Sequence, residues 1–450
     1  KLQDRGGAGG AAGPDKEPLK ELKPVEEAAF RSMAAMAADN QVCIDLYAMP
    51  RSFVDLATLR LFPETTGGAL YFYPEFDAAA DEAQMFNDLR WNCVRPQGLE
   101  AVMRVRASQG LTVDEYVGAY NVRTVSDIDL PAIDCDKSFV VRVGHDGRLQ
   151  EGSESSFQCA LLYTTTTGER RIRVHTLSLP CASTMSSLFR GADPDAQLTV
   201  ISRSIAASLP GNSLWWARDA ALATSVNILY TYRKHCASSS SSGQLILPEA
   251  LKLLPLYVLA LRKCPALNPR YRLDDRSAWC SRILSLPPQA LIPSLYPRLF
   301  AVHNLTNRPE HLKDKIPPPL TLAYEKLETD GVYLLEDGCN AYIWAGKKVP
   351  EQLVQSLLGV HAQEVTSTAT RQAMPIQLRR TGAPENEALC NLLDHIRRER
   401  SAFLRLRIVR HGEPLETHFF NCLVEDRNQM GLSYVEFLCH IHRQIQNKFR

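Results

Sequence analysis

The sequence has almost no net charge and no long hydrophobic run. Of its 450 residues, 51 are lysine or arginine and 50 are aspartate or glutamate, which gives a formal net charge of +1. A chain without a global field gives no reason to expect a nucleic-acid partner, so any charge-based recognition must be local. The nearest candidate for a membrane span, Leu251 to Leu261, is short and contains Pro255, so we interpret it as a core helix.

The sequence also lacks paired cysteines. Its twelve cysteines are scattered singly, and no two lie at zinc-knuckle spacing. The first residues are charged and glycine-rich, so we expect no signal peptide. A disulfide framework is not expected in so large a chain without a secretory signal, and a reduced cytosolic setting fits better.

Motifs for catalysis are missing as well. There is no phosphate loop, Rossmann fingerprint or nucleophile elbow. Asp274 and Asp275 could be imagined as paired catalytic carboxylates, but adjacent residues do not converge on a helix, and aspartate before a helical run is a common N-cap. We therefore expect no enzymatic activity, and a binding or scaffold role is the leading hypothesis.

Two other candidate sites are equally weak. Cys439, His440 and His442 lie in a helical pattern, on which residues i and i+2 point apart, so no metal site is expected there. Trp344 alternates with Tyr342 in a predicted strand and is more readily explained by core packing than by a ligand platform.

The pattern of predicted elements divides the chain into several domains of a multidomain α+β protein. Alternating helices and strands, including a strand from Val42 to Tyr47, indicate a piece of a parallel α/β sheet. Successive strands then indicate an antiparallel barrel or sandwich, a helical region follows, and the end of the chain is α/β again, with a strand predicted from Met374 to Arg379. The predicted boundaries are 1–23 for a loop or disordered segment, 24–97, 98–182, 183–305 and 306–450.

The most informative stretch is a predicted hairpin at the end of the second of these domains. Its strands run from Phe157 to Tyr163 and from Arg170 to Leu179, joined by a threonine-glycine turn. Because side chains alternate along a strand, Arg171 and Arg173 share one face about 6–7 Å apart. Two guanidinium groups on a rigid hairpin suit a carboxylate-bearing partner. The alternative is a solvated polar face on an ordinary amphipathic strand.

The same stretch carries a resemblance to a known family. GERRIRVHTLSLP (Gly168 to Pro180) and ALLYT (Ala160 to Thr164) closely resemble the β-barrel of the cargo-adaptor branch of the Sec23/Sec24 family of COPII vesicle-coat subunits. The similarity continues in the same order along the chain, in GGALYFYPEF (Gly67 to Phe76), GLEAVMRVRASQGL (Gly98 to Leu111), LKLLPLYVLAL (Leu251 to Leu261), RLDDR (Arg272 to Arg276), YIWAGK (Tyr342 to Lys347), LVEDR (Leu423 to Arg427) and SYVEFL (Ser433 to Leu438).

The resemblance gives each domain an expected identity. Residues 24–97 resemble the end of an α/β, von Willebrand A-like trunk, and 98–182 the β-barrel or sandwich. Residues 183–305 resemble the all-helical domain, and 306–450 a gelsolin-like domain with a C-terminal helix. The family's four-cysteine zinc finger and most of its trunk are expected to precede the first residue, so no cofactor is expected in this part of the protein and zinc is expected in the missing finger.

The resemblance also implies a function. Such subunits are non-enzymatic coat components that bind sorting signals on the cytosolic tails of membrane cargo and SNARE proteins leaving the endoplasmic reticulum. They pair with a GTPase-activating sibling subunit, meet the coat's small GTPase indirectly, and lie peripherally on exit sites and vesicle membranes. The family places barrel arginines in a pocket for acidic signals of the Asp-x-Glu type, and the matching residues are Arg171 and Arg173.

Two other functions remain open from the sequence. The chain could be the sibling subunit that activates the GTPase, although RIRVHTLSLP is more similar to the adaptor. A gelsolin-type actin or calcium binder is the third hypothesis, and it is weakened by the absence of an acidic calcium cluster from the last domain.

Overall fold

The computed structural model describes residues 20–122, 127–238, 243–308, 315–366, 376–400 and 402–449. The chain divides into two compact units. The first contains the chain up to Phe76, Val94–Pro288 and the end of the chain from Cys439, and the second contains Asp77–Cys93 and Gln289–Leu438.

The first unit begins with a small parallel α/β element, as the alternating pattern predicted. Its strands β1 (Leu46–Ala48) and β2 (Leu70–Phe72) pair in parallel, and the rings of Tyr47 and Tyr71 stack with centroids 4.5 Å apart. The strand predicted from Val42 is shorter than expected. The helices are α1 (Glu27–Asp39), α2 (Leu56–Leu59) and α3 (Leu61–Thr66).

The next element is a β-sandwich made of two antiparallel sheets. Its strands are β3 (Gln97–Ala107), β4 (Leu111–Val117), β5 (Asn121–Val122), β6 (Asp127–Asp134), β7 (Val140–His145), β8 (Glu154–Thr165) and β9 (Arg170–Pro180). One sheet has the order β5-β6-β3-β8-β9, and the other is the pair β4-β7. No sheet is closed among the strands that the structure describes, so the barrel alternative is not confirmed.

The core of the sandwich lies between the two sheets. Met103 of β3 and Leu130 of β6 are buried in it together with Tyr116 of β4. Leu161 and Tyr163 of β8 pack against the same cluster while remaining partly exposed. The inner face of the large sheet is therefore well covered at β3 and β6 and less covered towards β8 and β9.

A helical region completes the first unit. Its helices are α5 (Met185–Arg190), α6 (Pro194–Ser208), α7 (Leu214–Cys236), α8 (Leu254–Lys263) and α9 (Leu273–Ser285). The next helix, α10 (Pro288–Leu295), belongs to the second unit from Gln289 onward. The side chain of Asp193 accepts hydrogen bonds at the start of α6, and that of Ser213 does so at the start of α7. These caps satisfy backbone donors that have no partner within the helix, and they explain why α6 begins at Pro194 and α7 at Leu214.

The second unit is built on a four-stranded mixed sheet with the order β10-β11-β12-β13. The strands are β10 (Arg298–Ala301), β11 (Val332–Glu336), β12 (Asn340–Ala345) and β13 (Arg405–Val409). The helices are α4 (Ala78–Val94), α11 (Glu351–Leu358), α12 (Ala362–Thr366), α13 (Pro384–Arg398) and α14 (Pro414–Asn421). The last helix, α15 (Tyr434–Asn447), belongs to the first unit from Cys439 onward. Gly338 has φ +90° in the hairpin turn between β11 and β12, a conformation that glycine adopts without steric cost.

One predicted strand of this unit is wrong. Residues 376–380 form neither strand nor helix, and Met374 and Pro375 lie outside the described residues. Ile376 and Leu378 pack against the apolar core of the unit as an irregular segment. Their alternation with polar residues imitates a strand, but a strand also needs a neighbouring strand to pair with, and residues 376–380 pair with no strand that the structure describes. The Arg379 N–H donates to the backbone oxygen of Leu358 instead.

Candidate functional site

The predicted hairpin is present and forms the edge of the large sheet of the sandwich. Strands β8 and β9 pair from Glu154↔Pro180 to Thr164↔Arg170 without a register shift. Gly168 has φ +87° in the connecting turn, a conformation that glycine adopts at no steric cost. Strand β9 is last in the strand order, and each of its residues is exposed.

The register places Arg171 and Arg173 on the inner face of that sheet. Arg171 pairs with Tyr163, and Arg173 pairs with Leu161. Directly opposite residues of an antiparallel pair project to the same face, and both β8 residues pack against the sandwich core. The two arginines therefore lie beside the core at the point where the second sheet no longer covers it.

The outer face of β9 is not covered either. Ile172 is 70% exposed and Val174 is 53% exposed, although an ordinary amphipathic strand would bury such residues. The predicted alternation of apolar and polar side chains along β9 is therefore correct, but both faces of the strand are exposed to solvent. The hairpin presents cationic groups on its inner face and apolar groups on its outer face.

The two arginines differ in their surroundings. Arg171 contacts the carboxylate of Glu169 through Nη2, and this hydrogen bond raises the pKa of Arg171. Within the described residues, Arg173 has no ion pair or side-chain hydrogen bond. Glu169 was missed by sequence reasoning, although its position two residues before Arg171, at the end of the hairpin turn, was a usable signal.

A third arginine belongs to the opposite face. Arg170 donates from Nη1 to Thr164 Oγ1 over 2.7 Å and to the backbone oxygen of Glu100 over 2.9 Å. Glu100 has φ +50° where the pairing of β3 is irregular, so Arg170 secures an unusual stretch of backbone. Its role is structural, and it does not join Arg171 and Arg173.

The second unit has a pocket of about 630 Å³ that the sequence did not indicate. Its lining includes Tyr324, Trp344, His411 and Glu416. The Trp344 indole N–H donates to Glu416 Oε1 over 3.1 Å, and His411 Nδ1 lies 2.6 Å from the same oxygen. His411 Nε2 also lies 2.9 Å from the backbone oxygen of Ala345. Trp344 is nearly buried, as the core-packing interpretation expects, and the polar groups beside it are satisfied within the protein.

Among the other candidates from the sequence, Asp274 has a structural role. Asp274 caps a helix, but it is the helix α2 rather than its own, because its carboxylate accepts hydrogen bonds from the backbone of Val54 and Leu56. His440 and His442 lie two positions apart on α15. In the described part of the chain, no three His, Cys, Asp or Glu side chains form a group that could hold a metal ion.

No helix in the described ranges combines the length and apolar character that a membrane span requires.

The comparisons with known proteins agree with the order of the structural elements. The family model described as "Sec23/Sec24 trunk domain" matches residues 8–93, and the model described as "Sec23/Sec24 beta-sandwich domain" matches residues 98–182. "Sec23/Sec24 helical domain" matches residues 193–293, and "Gelsolin repeat" matches residues 313–386. The chain belongs to the Sec23/Sec24 family.

Its relatives are Sec24 proteins. The chain is 45% identical to protein transport protein SEC24 B of Arabidopsis thaliana over 98% of its own length and 40% of that protein. It is 35% identical to human protein transport protein Sec24C over 96% of its length and 39% of that protein. The crystal structure of the human COPII-coat protein Sec24c matches with a TM-score of 0.86 and 33% identity, over 96% of this chain and 57% of that one. The chain thus spans about two fifths of the length of these curated relatives.

Proposed function

We propose that this chain is the cargo-recognising part of a COPII coat subunit and that Arg171 and Arg173 bind acidic sorting signals. The names of the relatives, which are protein transport proteins and a COPII-coat protein, support the class of function. The observation that carries the site is the position of the two arginines on the uncovered inner face of an edge strand. We propose no enzymatic activity.

The geometry suits an extended acidic peptide. Arg171 and Arg173 are separated by one residue on β9, so their side chains can meet two acidic groups that are likewise separated by one residue in an extended ligand. Each guanidinium offers a planar fork of donors that matches a carboxylate. Neither can lose its charge at physiological pH, so recognition does not switch off through the arginines on mild acidification.

The proposal extends to the setting of the coat. The acidic signals belong to the cytosolic tails of membrane cargo and SNARE proteins, and the chain works at exit sites of the endoplasmic reticulum and on COPII vesicles, peripherally on the membrane. Its partner is the GTPase-activating sibling subunit, through which it meets the small GTPase of the coat. Stimulation of GTP hydrolysis by this chain alone would instead favour the sibling's function.

The test is a binding measurement with a double substitution. A fluorescent peptide containing Asp-Ala-Glu is titrated with the full chain, with the variant Arg171→Ala plus Arg173→Ala, and with a matched control. The control is Arg104→Ala plus Arg106→Ala, which removes two arginines at the same spacing from β3. Arg104 of β3 is paired with Ala160 of β8, which is in turn paired with Val174 of β9. The control pair therefore lies on the outer face of the same sheet.

We expect the variant Arg171→Ala plus Arg173→Ala, the inner-face variant, to bind the acidic peptide at least about tenfold more weakly than the wild type. The reason is that charge-assisted hydrogen bonds are among the stronger polar contacts. The control should change affinity by less than about threefold, which is the scale of a screened charge contribution at physiological salt. Equal affinity of the inner-face variant and the wild type, with circular dichroism showing that both are folded, would contradict the proposal.

A further inference from the structure

The hairpin holds a carboxylate of its own at the proposed binding site. Glu169 lies in the turn directly before β9, and its side chain contacts Arg171. Its backbone is fixed across the turn, because Thr165 N–H donates to Glu169 O over 2.8 Å and Glu169 N–H donates to Thr165 Oγ1 over 3.1 Å. The carboxylate therefore starts from an ordered position next to the arginine.

This contact makes the two arginines unequal towards an acidic ligand. The charge of Arg171 is partly compensated by Glu169, while Arg173 has no carboxylate in contact among the described residues. Both Glu169 and Arg171 are more than half exposed, so their ion pair is weak and a ligand can exchange with it. A ligand carboxylate that reaches Arg171 must displace Glu169 or remain beside a like charge.

We propose that Glu169 is an internal acidic competitor that lowers the affinity of the Arg171 half of the site. This inference rests on the proposed function. A peptide with a single acidic group binds through Arg173 and is little affected by Glu169. A peptide with two acidic groups separated by one residue has to compete with Glu169 for Arg171, so Glu169 determines how much the second acidic group adds to binding.

The magnitude follows from the charges. Two like charges about 5 Å apart in water change an equilibrium about fourfold. Replacing Glu169 by glutamine removes the charge and keeps the size and hydrogen-bonding capacity of the side chain. Glu169→Gln should therefore increase the affinity for a two-acid peptide about fourfold, and it should increase the affinity for a one-acid peptide by less than twofold.

Glu100 provides a matched control on the opposite face of the same sheet. Its carboxylate lies 3.7 Å from Arg170, and its side chain is as exposed as that of Glu169. Glu100→Gln makes the same change in net charge. An effect that arises only from the overall charge would appear equally in both variants, whereas competition at Arg171 appears in Glu169→Gln alone.

The experiment measures the affinities of three peptides, which contain Asp-Ala-Glu, Asn-Ala-Glu and Asn-Ala-Gln. They are titrated against the full chain, Glu169→Gln, Glu169→Ala, Glu100→Gln and the double arginine variant. We expect both Glu169 variants to tighten only the two-acid peptide by about fourfold, with circular dichroism unchanged. The use of two substitutions at Glu169 separates loss of the charge from an effect of one side chain on the turn.

The outcomes separate this inference from the function on which it rests. If the double arginine variant loses binding while both Glu169 variants bind the two-acid peptide no more tightly than the wild type, competition by Glu169 is wrong and the proposed site stands. The inference is equally wrong if Glu100→Gln gives the same gain. If the double arginine variant binds as the wild type does, the proposed function fails and the inference fails with it.

Discussion

The carboxylate of Asp274 caps the helix that begins at Leu56. The Leu56 N–H donates to Asp274 Oδ1 over 2.7 Å, and the Val54 N–H donates to Oδ2 over 2.9 Å. Asp274 is only 6% exposed, so no water replaces it easily. A residue in the first turn of α9 therefore holds a helix more than 200 positions earlier in the chain. The motif RLDDR, which looked like an ordinary helix start, joins two parts of the first unit.

The first prediction concerns this cap. Asp274→Ala leaves two backbone donors without an acceptor, so we expect a loss of about 2–4 kcal/mol in the free energy of unfolding of the first unit. Asp274→Asn, which retains one acceptor oxygen, should lose about half as much. The neighbouring Asp275→Ala is the control, because Asp275 is not among the acceptors of Val54 or Leu56. Urea denaturation measures all three, and equal losses at both positions would contradict the cap.

The second prediction concerns Arg203, which is buried between the helical region and the sandwich. It donates to the backbone oxygens of Ile283, Leu286 and Ser138, over 3.2, 2.6 and 3.0 Å, and its Nη2 also contacts the Ser138 hydroxyl. Burial lowers the pKa of Arg203 to about 10, so its ordinary charge is retained at neutral pH.

Arg203→Met keeps much of the volume of the side chain but leaves several buried oxygens without donors. We expect this change to destabilise the first unit by about 3 kcal/mol or more, and Arg203→Lys to be nearly as costly because an ammonium group cannot reproduce the planar fork. The exposed Arg190→Met is the control. A thermal midpoint for Arg203→Met equal to that of the control would show that these hydrogen bonds contribute little.

The third prediction is a pH dependence at Glu416. Burial alone would raise the pKa of Glu416, but hydrogen bonds from Gly412, Trp344 and His411 outweigh it and lower the pKa below the ordinary value of 4.5. A carboxyl with a lowered pKa stabilises the folded state at neutral pH, and this contribution is lost as the pH falls through the lowered pKa.

Glu416→Gln should therefore destabilise the second unit by about 1–2 kcal/mol at pH 7, and the difference from the wild type should shrink as the pH falls below 4.5. The control is Glu413→Gln, which alters the ion pair with Arg410 three residues earlier in the chain. Denaturation curves at a series of pH values test this. A difference between Glu416→Gln and the wild type that grows on acidification would have the wrong sign.

Local patterns predicted the hairpin and most helices, because the information lies within one stretch of chain. Asp193 caps α6, and alternation in RRIRVHTLSL specifies a strand. The strand β6 was not predicted, since Pro131 and its acidic neighbours indicate a loop. Pro131 is accommodated between the pairs Leu130↔Ala101 and Ala132↔Leu99, where pairing with β3 is interrupted. That accommodation depends on another strand and cannot be derived from the stretch itself.

The candidate site was likewise predicted only in its local features. The sequence located Arg171 and Arg173 on one face, because their spacing alone determines this. It could not indicate that this is the inner face of an open sandwich edge, which follows from the pairing with Leu161 and Tyr163. Nor could it indicate the capping of α2 by Asp274, because partners distant in the chain leave no local pattern.

The last prediction concerns the cysteines, for which the sequence indicated a reduced state. All twelve are free thiols. Cys264 is 6% exposed and Cys280 is completely buried in the helical region, and burial raises their pKa values to about 12 and about 11. Cys93, Cys135 and Cys439 are exposed. The thiolate is the form that attacks a thiol reagent, so low accessibility and a raised pKa both protect Cys264 and Cys280.

We expect Cys93, Cys135 and Cys439 to react with a maleimide at pH 7 within minutes, whereas Cys264 and Cys280 should react only after denaturation, as read by peptide mass spectrometry. Serine at the three exposed positions should abolish the fast phase at those sites and leave the melting temperature nearly unchanged, because exposed substitutions seldom alter stability. Serine at Cys280 should lower the melting temperature, since it places a hydroxyl in an apolar site. Fast labelling of Cys264 in the native protein would mean that the helical region opens far more readily than its packing implies.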